Sequence, residues 1–501
     1  MRAGALALAL VSLASTAFAQ TAPASATRYL VIPFQNATRE PRVYWLSEAS
    51  AVLLTDHLNT LGASAIRRED RLRAFERLRV PPVSTLSHAT VIRLGQVVGA
   101  AHVVVGSFEV QADTLVVRAR AIRLDAGQMA PEMVERGPLT DLVDIYGRMS
   151  RRLVSESKVP LDQLARGYPP PAAFEQYIKG LLAEAPQAKV AFLAQALRLA
   201  PAFHRPRIAL WQVHTDQGVH TDALAIVRDI PPDGGLSRQA RFLAAVSMLH
   251  LGDGQGALAE FQALNQSARD PALLNNLGVA QLRLPAGSPG GKAVAYFGEA
   301  VSLDGSDPDL YFNVGYAYWL ERDTQGAIHW LREAVRRNPA DDAAHYVLGV
   351  ALQASGNGAE AAREKELARR LSSTYVEWEA TQQGANAVPP RLERLKLELD
   401  VAQAFRVDAA VDAAGQRDQR AIAAFHLERA RRFVEEGRNE EAAAELRRTI
   451  FLAPYDSQAH LLLARVHLRT GRQQDAVDAL TIAVWSDAGN AEAKKLLDSL
   501  R

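Results

Sequence analysis

Few side chains capable of covalent chemistry are spaced to perform it. The 12 His are scattered, and none forms the His-Glu-x-x-His pattern that sets two imidazoles and a general base on one helical face for zinc. His57 and His102 read as packing or surface imidazoles. Gly287-Ser-Pro-Gly-Gly-Lys292 approaches a phosphate loop. Its glycines are too close together, Ala293 stands where a hydroxyl must hold magnesium, and no strand precedes it, so it reads as a widened turn. Asp304, Asp307 and Asp309 cluster as a hard cation would require, but the glutamate that closes a calcium loop is missing. They read as a turn between helices. Gly106-Ser107 lacks the second glycine and following helix of a nucleophile elbow and reads as strand. The chain has Cys 0, which excludes disulfides, thiolate metal sites, a cysteine nucleophile and a lipid-modified amino-terminal cysteine. These observations predict a protein that is not an enzyme and needs neither cofactor nor metal. Binding surface is what remains.

The elements that carry such a surface begin after an exported leader. Arg2, an apolar run from Ala5 to Ala14 and the small-x-small triplet Ala17-Phe18-Ala19 make residues 1–19 a signal peptide. Ser12, Ser15 and Thr16 interrupt the run, which falls short of the roughly 18 apolar residues of a membrane span. Residues 20–27 are a small-residue spacer. The mature protein is expected in the periplasm or otherwise in the cell envelope, without inserting in the membrane. Lys+Arg 57 against Asp+Glu 56 leaves a formal charge of +1, which provides no field for nucleic acid. Protein or peptide partners are expected. A length of 501 residues requires several domains or a repeat array.

Residues 28–158 read as a small α/β domain. Strands are predicted at Tyr29-Leu-Val-Ile-Pro33, Ala65-Ile66, Ala101 to Val110 and Leu115 to Leu124, the last with Arg118, Arg120 and Arg123 interleaved. Helices are predicted over Trp45 to Leu61, Arg71 to Leu78, Val91 to Val98 and Leu139 to Glu156. Val31-Ile-Pro-Phe34 with Asn36 and Thr38, Trp45-Leu-Ser-Glu-Ala49, and Gly99-Ala-Ala-His-Val-Val-Val-Gly-Ser107 resemble the amino-terminal domain of TolB-like, FlgO-like envelope proteins. The resemblance implies a domain that docks to or helps assemble envelope partners. Pro160, Gly167 and Pro169 to Pro171 mark a linker over 159–171.

Beyond it the pattern becomes periodic. Tyr311, Val314-Gly315, Tyr318, Ala327, Leu331, Ala334 and Pro339 are followed by Gly349, Ala361 and Ala368, each about 34 residues after its counterpart. Leu277-Gly278, Ala293, Phe297 and Ala300 form the preceding copy, with weaker ones upstream. Ala442, Leu446 and Pro454, then Leu463-Ala464, Ala476, Leu480 and Ala483, form two more. This resembles the tetratricopeptide repeat (TPR), and the fold expected is mainly α: an α-solenoid of TPR helix pairs behind the N-terminal α/β domain. The array spans 172–375 with about six repeats, and 422–501 hold a further pair capped by Lys494 to Arg501. Between them, 376–421 form an irregular or helical connector. Arg391 to Phe405 has Leu392, Leu395 and Leu399 at helical spacing and Arg394 one turn before Glu398. It also alternates from Leu395 to Val401 as a strand would. Helix is favoured because no turn-flanked strand partner lies nearby.

In a TPR stack the first helix of each repeat lines a concave groove. The resemblance therefore implies a partner-binding groove containing Asn276 (or its neighbour Asn275), Phe312, Asn313, Tyr316, Trp319 and Tyr346. Asn276 and Asn313 are equivalent positions, at which an amide can donate to and accept from an extended backbone, and the aromatics would be its buried anchors. The basic clamp that captures a chain terminus in this family is not recognisable. The expected function is an exported envelope scaffold, or else an assembly factor of an envelope secretion or pore complex acting through the N-terminal domain.

Overall fold

The computed structural model describes residues 28–80, 86–124, 126–285, 288, 290–381, 388–399 and 409–500. The expected signal peptide and spacer lie outside the described residues, as do Gly287 and Pro289 of the phosphate-loop-like turn.

The chain opens with β1 (Arg28–Val31), β2 (Gln35–Asn36), α1 (Trp45–Thr60), β3 (Ser64–Ala65), α2 (Arg68–Arg77) and α3 (His88–Val97). It continues through β4 (His102–Gln111), β5 (Thr114–Arg123), β6 (Gln128–Met129), β7 (Met133–Pro138) and α4 (Leu142–Leu153). The sheet order is β3-β1-β4-β5-β6, with β2 added to β4 and β7 to β5. β1 runs parallel to β3 and β4, while β4 and β5 form a hairpin in which His102 faces Arg123 and Gln111 faces Thr114. Alternation divides the strands between two cores. Tyr29, Val31, Val104 and Phe108 pack with α1 and α4, whereas Leu30, Ile32 and Val103 pack with α2 and α3. Gly106-Ser107 lies in β4, as expected. Strand β7 was not anticipated, because Glu135 and Arg136 put charges on both faces of Met-Val-Glu-Arg-Gly-Pro, which erases the apolar alternation, and the segment ends in strand-breaking residues.

After α5 (Leu161–Ala165) the chain is helical hairpins: α6 (Pro171–Leu182) with α7 (Pro186–Leu199), α8 (Arg205–Asp216) with α9 (His220–Arg228), and α10 (Ser237–His250) with α11 (Gly254–Ser267). Next come α12 (Pro271–Arg283) with α13 (Ala293–Leu303), α14 (Pro308–Leu320) with α15 (Thr324–Arg337), and α16 (Asp342–Ala354) with α17 (Gly358–Leu371). Helix α18 (Ser373–Thr381) covers the end. The small residues act as close-approach points: a Cβ added at Gly278 would stand 2.5 Å from Phe297, and one at Gly315 2.7 Å from Leu331. Without side chains there, the two helices of each hairpin can nest. Aspartates cap the first helices, Asp307 accepting from the amide of Asp309 at 3.0 Å and Asp341 from that of Ala344 at 2.9 Å. Proline at the first position of α12 and α14 removes a donor that the helix does not need.

The C-terminal hairpins are α19 (Ala409–Glu435) with α20 (Asn439–Leu452) and α21 (Ser457–Arg469) with α22 (Gln473–Ser486), closed by α23 (Ala491–Leu500). They return to the start of the chain. Trp485 joins Phe174, Ile178 and Phe203 of the first repeats in the same buried cluster as Tyr29, Val31 and the α1 and α4 side chains. The Tyr455 amide donates to Glu184 at 2.9 Å, and the Tyr455 ring lies 5.3 Å from that of Trp485. Residues 159–171 do not separate two free units: Leu164 is buried, and Tyr168 donates to Asp56 of α1 at 2.8 Å. Among the described residues, no helix is long and apolar enough to cross a membrane.

Candidate functional site

The first helices α12, α14 and α16 line a groove, and the groove is filled by the chain itself. Residues 388–399 run through it without joining a helix or a sheet; the chain turns at Arg391, where φ is 62°, and is extended where its backbone is gripped at Arg394 and Lys396. Their direction opposes that of the array. Pro389 accepts from Tyr316 Oη of α14 at 3.4 Å, Arg394 sits where α12 and α14 meet, and Glu398 reaches Arg67 and Arg73 beside and within α2 of the N-terminal domain. We call this segment the strap.

Asparagine amides satisfy the strap's backbone. Asn313 Oδ1 accepts from the Arg394 amide and Asn313 Nδ2 donates to the Arg394 carbonyl, both at 2.8 Å. Two residues on, Asn276 repeats the pattern with Lys396, at 2.9 Å to the amide and 2.8 Å to the carbonyl. Asn275 adds a second donor to the Arg394 carbonyl at 2.8 Å and accepts from Asn313 at 2.7 Å. All three asparagines are fully buried, so each needs such partners to offset its desolvation. A side chain that both donates and accepts can replace a neighbouring strand, and these do so at alternate strap residues.

The spacing directs the side chains of Arg394 and Lys396 to one side, over acidic helix starts. The Arg394 guanidinium pairs with Asp309 at 2.6 Å and Asp341 at 2.5 Å, and lies 3.9 Å over the Phe312 ring. Lys396 Nζ pairs with Asp307 at 2.8 Å and Asp309 at 2.6 Å. Burial alone would raise the Asp309 pKa, but Lys396 and Arg394 outweigh it and hold the carboxyl below the usual carboxylate range. Burial alone would lower the Lys396 pKa, but Asp309 and Asp307 outweigh it and raise the pKa above the usual lysine value. On the strap's other residues, Glu393 accepts from Arg283 at 2.7 Å, Leu395 and Leu399 pack on the core of the central repeats, and Val388 and Leu392 pack on the core formed with α14 to α16. The arrangement provides recognition chemistry: amides for a backbone, carboxylates for cations and a ring for a guanidinium.

This geometry corrects the helix expected over Arg391 to Phe405; residues 400–405 lie outside the described residues. Positions 394 and 396 would be about 200° apart around a helix and could not share one acidic surface. An extended chain puts them on the same face. Of the residues expected to line a partner groove, Asn276, Asn313, Phe312 and Tyr316 do converge, on an extended segment of this same chain. Trp319 is half-buried and packs against the same two clusters as Val388. Tyr346 is buried and stacks on Tyr375, 4.4 Å between centroids, in a cluster formed with Ala368 of α17 and Tyr375 of α18, against whose edge the strap's Val388 packs. Sequence reasoning missed Asp307, Asp309 and Asp341 as cation acceptors, and Arg283 as the partner of Glu393. Asp307 and Asp309 read from sequence only as a turn between helices, which concealed this role. His57 is packed inside the N-terminal domain with its ring edge-on to Tyr168 at 5.5 Å, and burial pushes its pKa down to about 4. His102 stacks on Tyr29 at 4.9 Å.

Comparison with known proteins agrees with the repeat geometry. The Tetratricopeptide repeat family model matches residues 291–342, 322–373 and 427–493, so those stretches are tetratricopeptide repeats. No curated protein matches the chain. Similar solved structures include MamA from Desulfovibrio magneticus RS-1, 17% identical over 36% of this chain and 97% of that one, with a TM-score of 0.29. PilF of Pseudomonas aeruginosa is 17% identical over 39% of this chain and 90% of its own, with a TM-score of 0.33. YrrB, described as a TPR protein with an unusual peptide-binding site, is 17% identical over 38% of this chain and 97% of its own, with a TM-score of 0.29.

Proposed function

We propose that this protein is an exported, non-catalytic scaffold of the cell envelope that holds extended segments of protein partners in the groove of its repeats, using Asn276, Asn313, Phe312, Tyr316, Trp319 and Tyr346. The observation that carries this reading is the pair of equivalent asparagines, each gripping one residue of an extended backbone through both its amide and its carbonyl. A buried amide in a helix interior is costly unless it is paired, and this pairing is independent of the bound side chains. The sequence resemblance of the N-terminal domain to TolB-like, FlgO-like proteins and the leader-like residues 1–19 support the envelope assignment.

Cross-linking in intact cells tests the reading, comparing the wild type with Asn276→Ala/Asn313→Ala. Both variants should be exported and should lack residues 1–19 when the mature amino terminus is sequenced. The double variant should lose at least one partner that the wild type captures. Equal capture of every partner by both would remove the groove from the function.

A further inference from the structure

We propose that the groove selects extended segments with basic side chains at two alternating positions, and that residues 388–399 are a displaceable occupant held in cis in place of such a partner. The proposal rests on the scaffold reading and specifies the chemistry of its partner and its control. Asn313 and Asn276 set the register by pairing with the backbone of residues 394 and 396. In that register both side chains meet the same carboxylates, Asp309 receiving the guanidinium and the ammonium together. A residue carrying no charge there would leave buried carboxylates unpaired, and an acidic one would be repelled. Selectivity thus follows from the positions of three aspartates that the helices already need as caps or in their first turn.

Three observations make the occupant displaceable. Its main chain makes no backbone-to-backbone hydrogen bond with the rest of the protein among the described residues; its polar anchors are side chains. Its apolar residues Val388, Leu392, Leu395 and Leu399 are only partly buried, whereas the helices beneath them are closed by fully buried Leu310, Val347 and Leu273. Finally, the capping bonds of Asp307 and Asp341, to the amides of Asp309 and Ala344, are made within their own helix starts and take no donor from the strap. Removal therefore leaves α12, α14 and α16 with their own hydrogen bonds intact and an acidic groove open to water. Because the strap is tethered, it competes at an effective concentration on the order of millimolar, so a partner must bind tightly or add contacts elsewhere. Displacement also withdraws Glu398 from Arg67 and Arg73. Groove occupancy is thereby communicated to the N-terminal domain.

The test uses a fluorescent peptide with the sequence of residues 388–399, added to the full chain. The wild type should bind it weakly, whereas the Arg394→Ala/Lys396→Ala chain, whose own strap is weakened, should bind roughly tenfold or more tightly. Adding Asn313→Ala to the opened chain should abolish binding, as should replacing both basic residues of the peptide by alanine. An opened chain that melts cooperatively but ignores the peptide, or that takes the alanine peptide equally well, overturns the proposal. Hydrogen exchange on the wild type is an independent check: the Arg394 and Lys396 amides should exchange faster than those of α12 and α14. Exchange only through global unfolding would make the strap a fixed part of the fold and overturn displaceability. These results do not depend on whether cells contain a captured partner, so failure here and failure of the scaffold reading are distinguishable.

Discussion

Replacing Arg394 by alanine separates the stability of the strap from that of the array. Arg394 is the cation between Asp309 and Asp341, at 2.6 and 2.5 Å, and Asp341 is nearly inaccessible. Breaking one partner out of a buried ion pair costs about 3–5 kcal/mol when the remaining charge stays buried. At about 1.4 kcal/mol per tenfold, that corresponds to a shift in the docking equilibrium of about 10² to 4 × 10³. The molecule has an escape, however. Once the strap lifts and takes Lys396 with it, water reaches Asp341 and Asp309, so the cost to the whole array is capped at what docking was worth. The substitution should therefore leave the urea midpoint of helix unfolding almost unchanged while strongly increasing strap opening. Trypsin reads that opening directly at Arg391 and Lys396, which flank the altered position, and when reclosing is fast, cleavage follows the open population. Fragment masses over time should show cleavage at these two sites accelerating by about 10² or more. A change within about threefold would mean that the two carboxylates do not hold the strap, and the reasoning would fail.

Glu398→Ala removes a pair that is one-third exposed on each side, so it should cost about 1 kcal/mol or less and raise strap cleavage by less than tenfold; a larger effect would relocate the main anchor to the N-terminal domain. Gly315→Ala places a Cβ 2.7 Å from Leu331 Cγ and 3.0 Å from its amide nitrogen, which should destabilise by about 1–3 kcal/mol in urea unfolding. The same change at Gly298, a helical glycine with nothing within 4 Å of its added Cβ, should stabilise by about 0.5–1 kcal/mol. Equal effects at the two sites would discount close helix approach as the reason for the repeat's small residue. Burial holds the His57 pKa at about 4 in the folded chain, below the ordinary imidazole value of about 6.5, so the unfolded chain takes up its proton first as pH falls. Stability from this group is complete above about pH 6.5 and is lost towards pH 4 by about 3 kcal/mol. His57→Leu should flatten the difference in urea stability between about pH 7 and pH 4.5 by about 2–3 kcal/mol, and an unchanged pH slope would place the imidazole in water.

The repeats were legible because their signal is local. Gly315, Ala327 and Ala334 recur at Gly349, Ala361 and Ala368 because every hairpin solves the same packing problem, and the same problem requires the same small side chain. The paired strands β4 and β5 were legible for a similar reason, alternation along a hairpin whose partner is adjacent in sequence. Strap conformation was not, because its partners are distant and of a different kind. Residues 394 and 396 are paired to Asn313 and Asn276, 81 and 120 positions away, and the partner groups are helix side chains rather than a second strand. With no turn-flanked strand partner nearby in sequence, the local pattern favours helix.

The signal that could have resolved it lay in the helices. Asn275, Asn276 and Asn313 fall on faces otherwise filled by Leu273, Leu277, Val314 and Ala317, all buried. A carboxamide on such a face must meet a donor and an acceptor, and the helical backbone has none to spare. An extended chain, by contrast, presents both at each alternate residue. The stretch that alternates from Leu395 carries Arg394 and Lys396 on one side, and opposite charge waits in Asp307, Asp309 and Asp341 at the starts of α14 and α16. Unpaired amides in one region and an unpaired alternating segment in another are complementary deficits, and the fold satisfies each with the other.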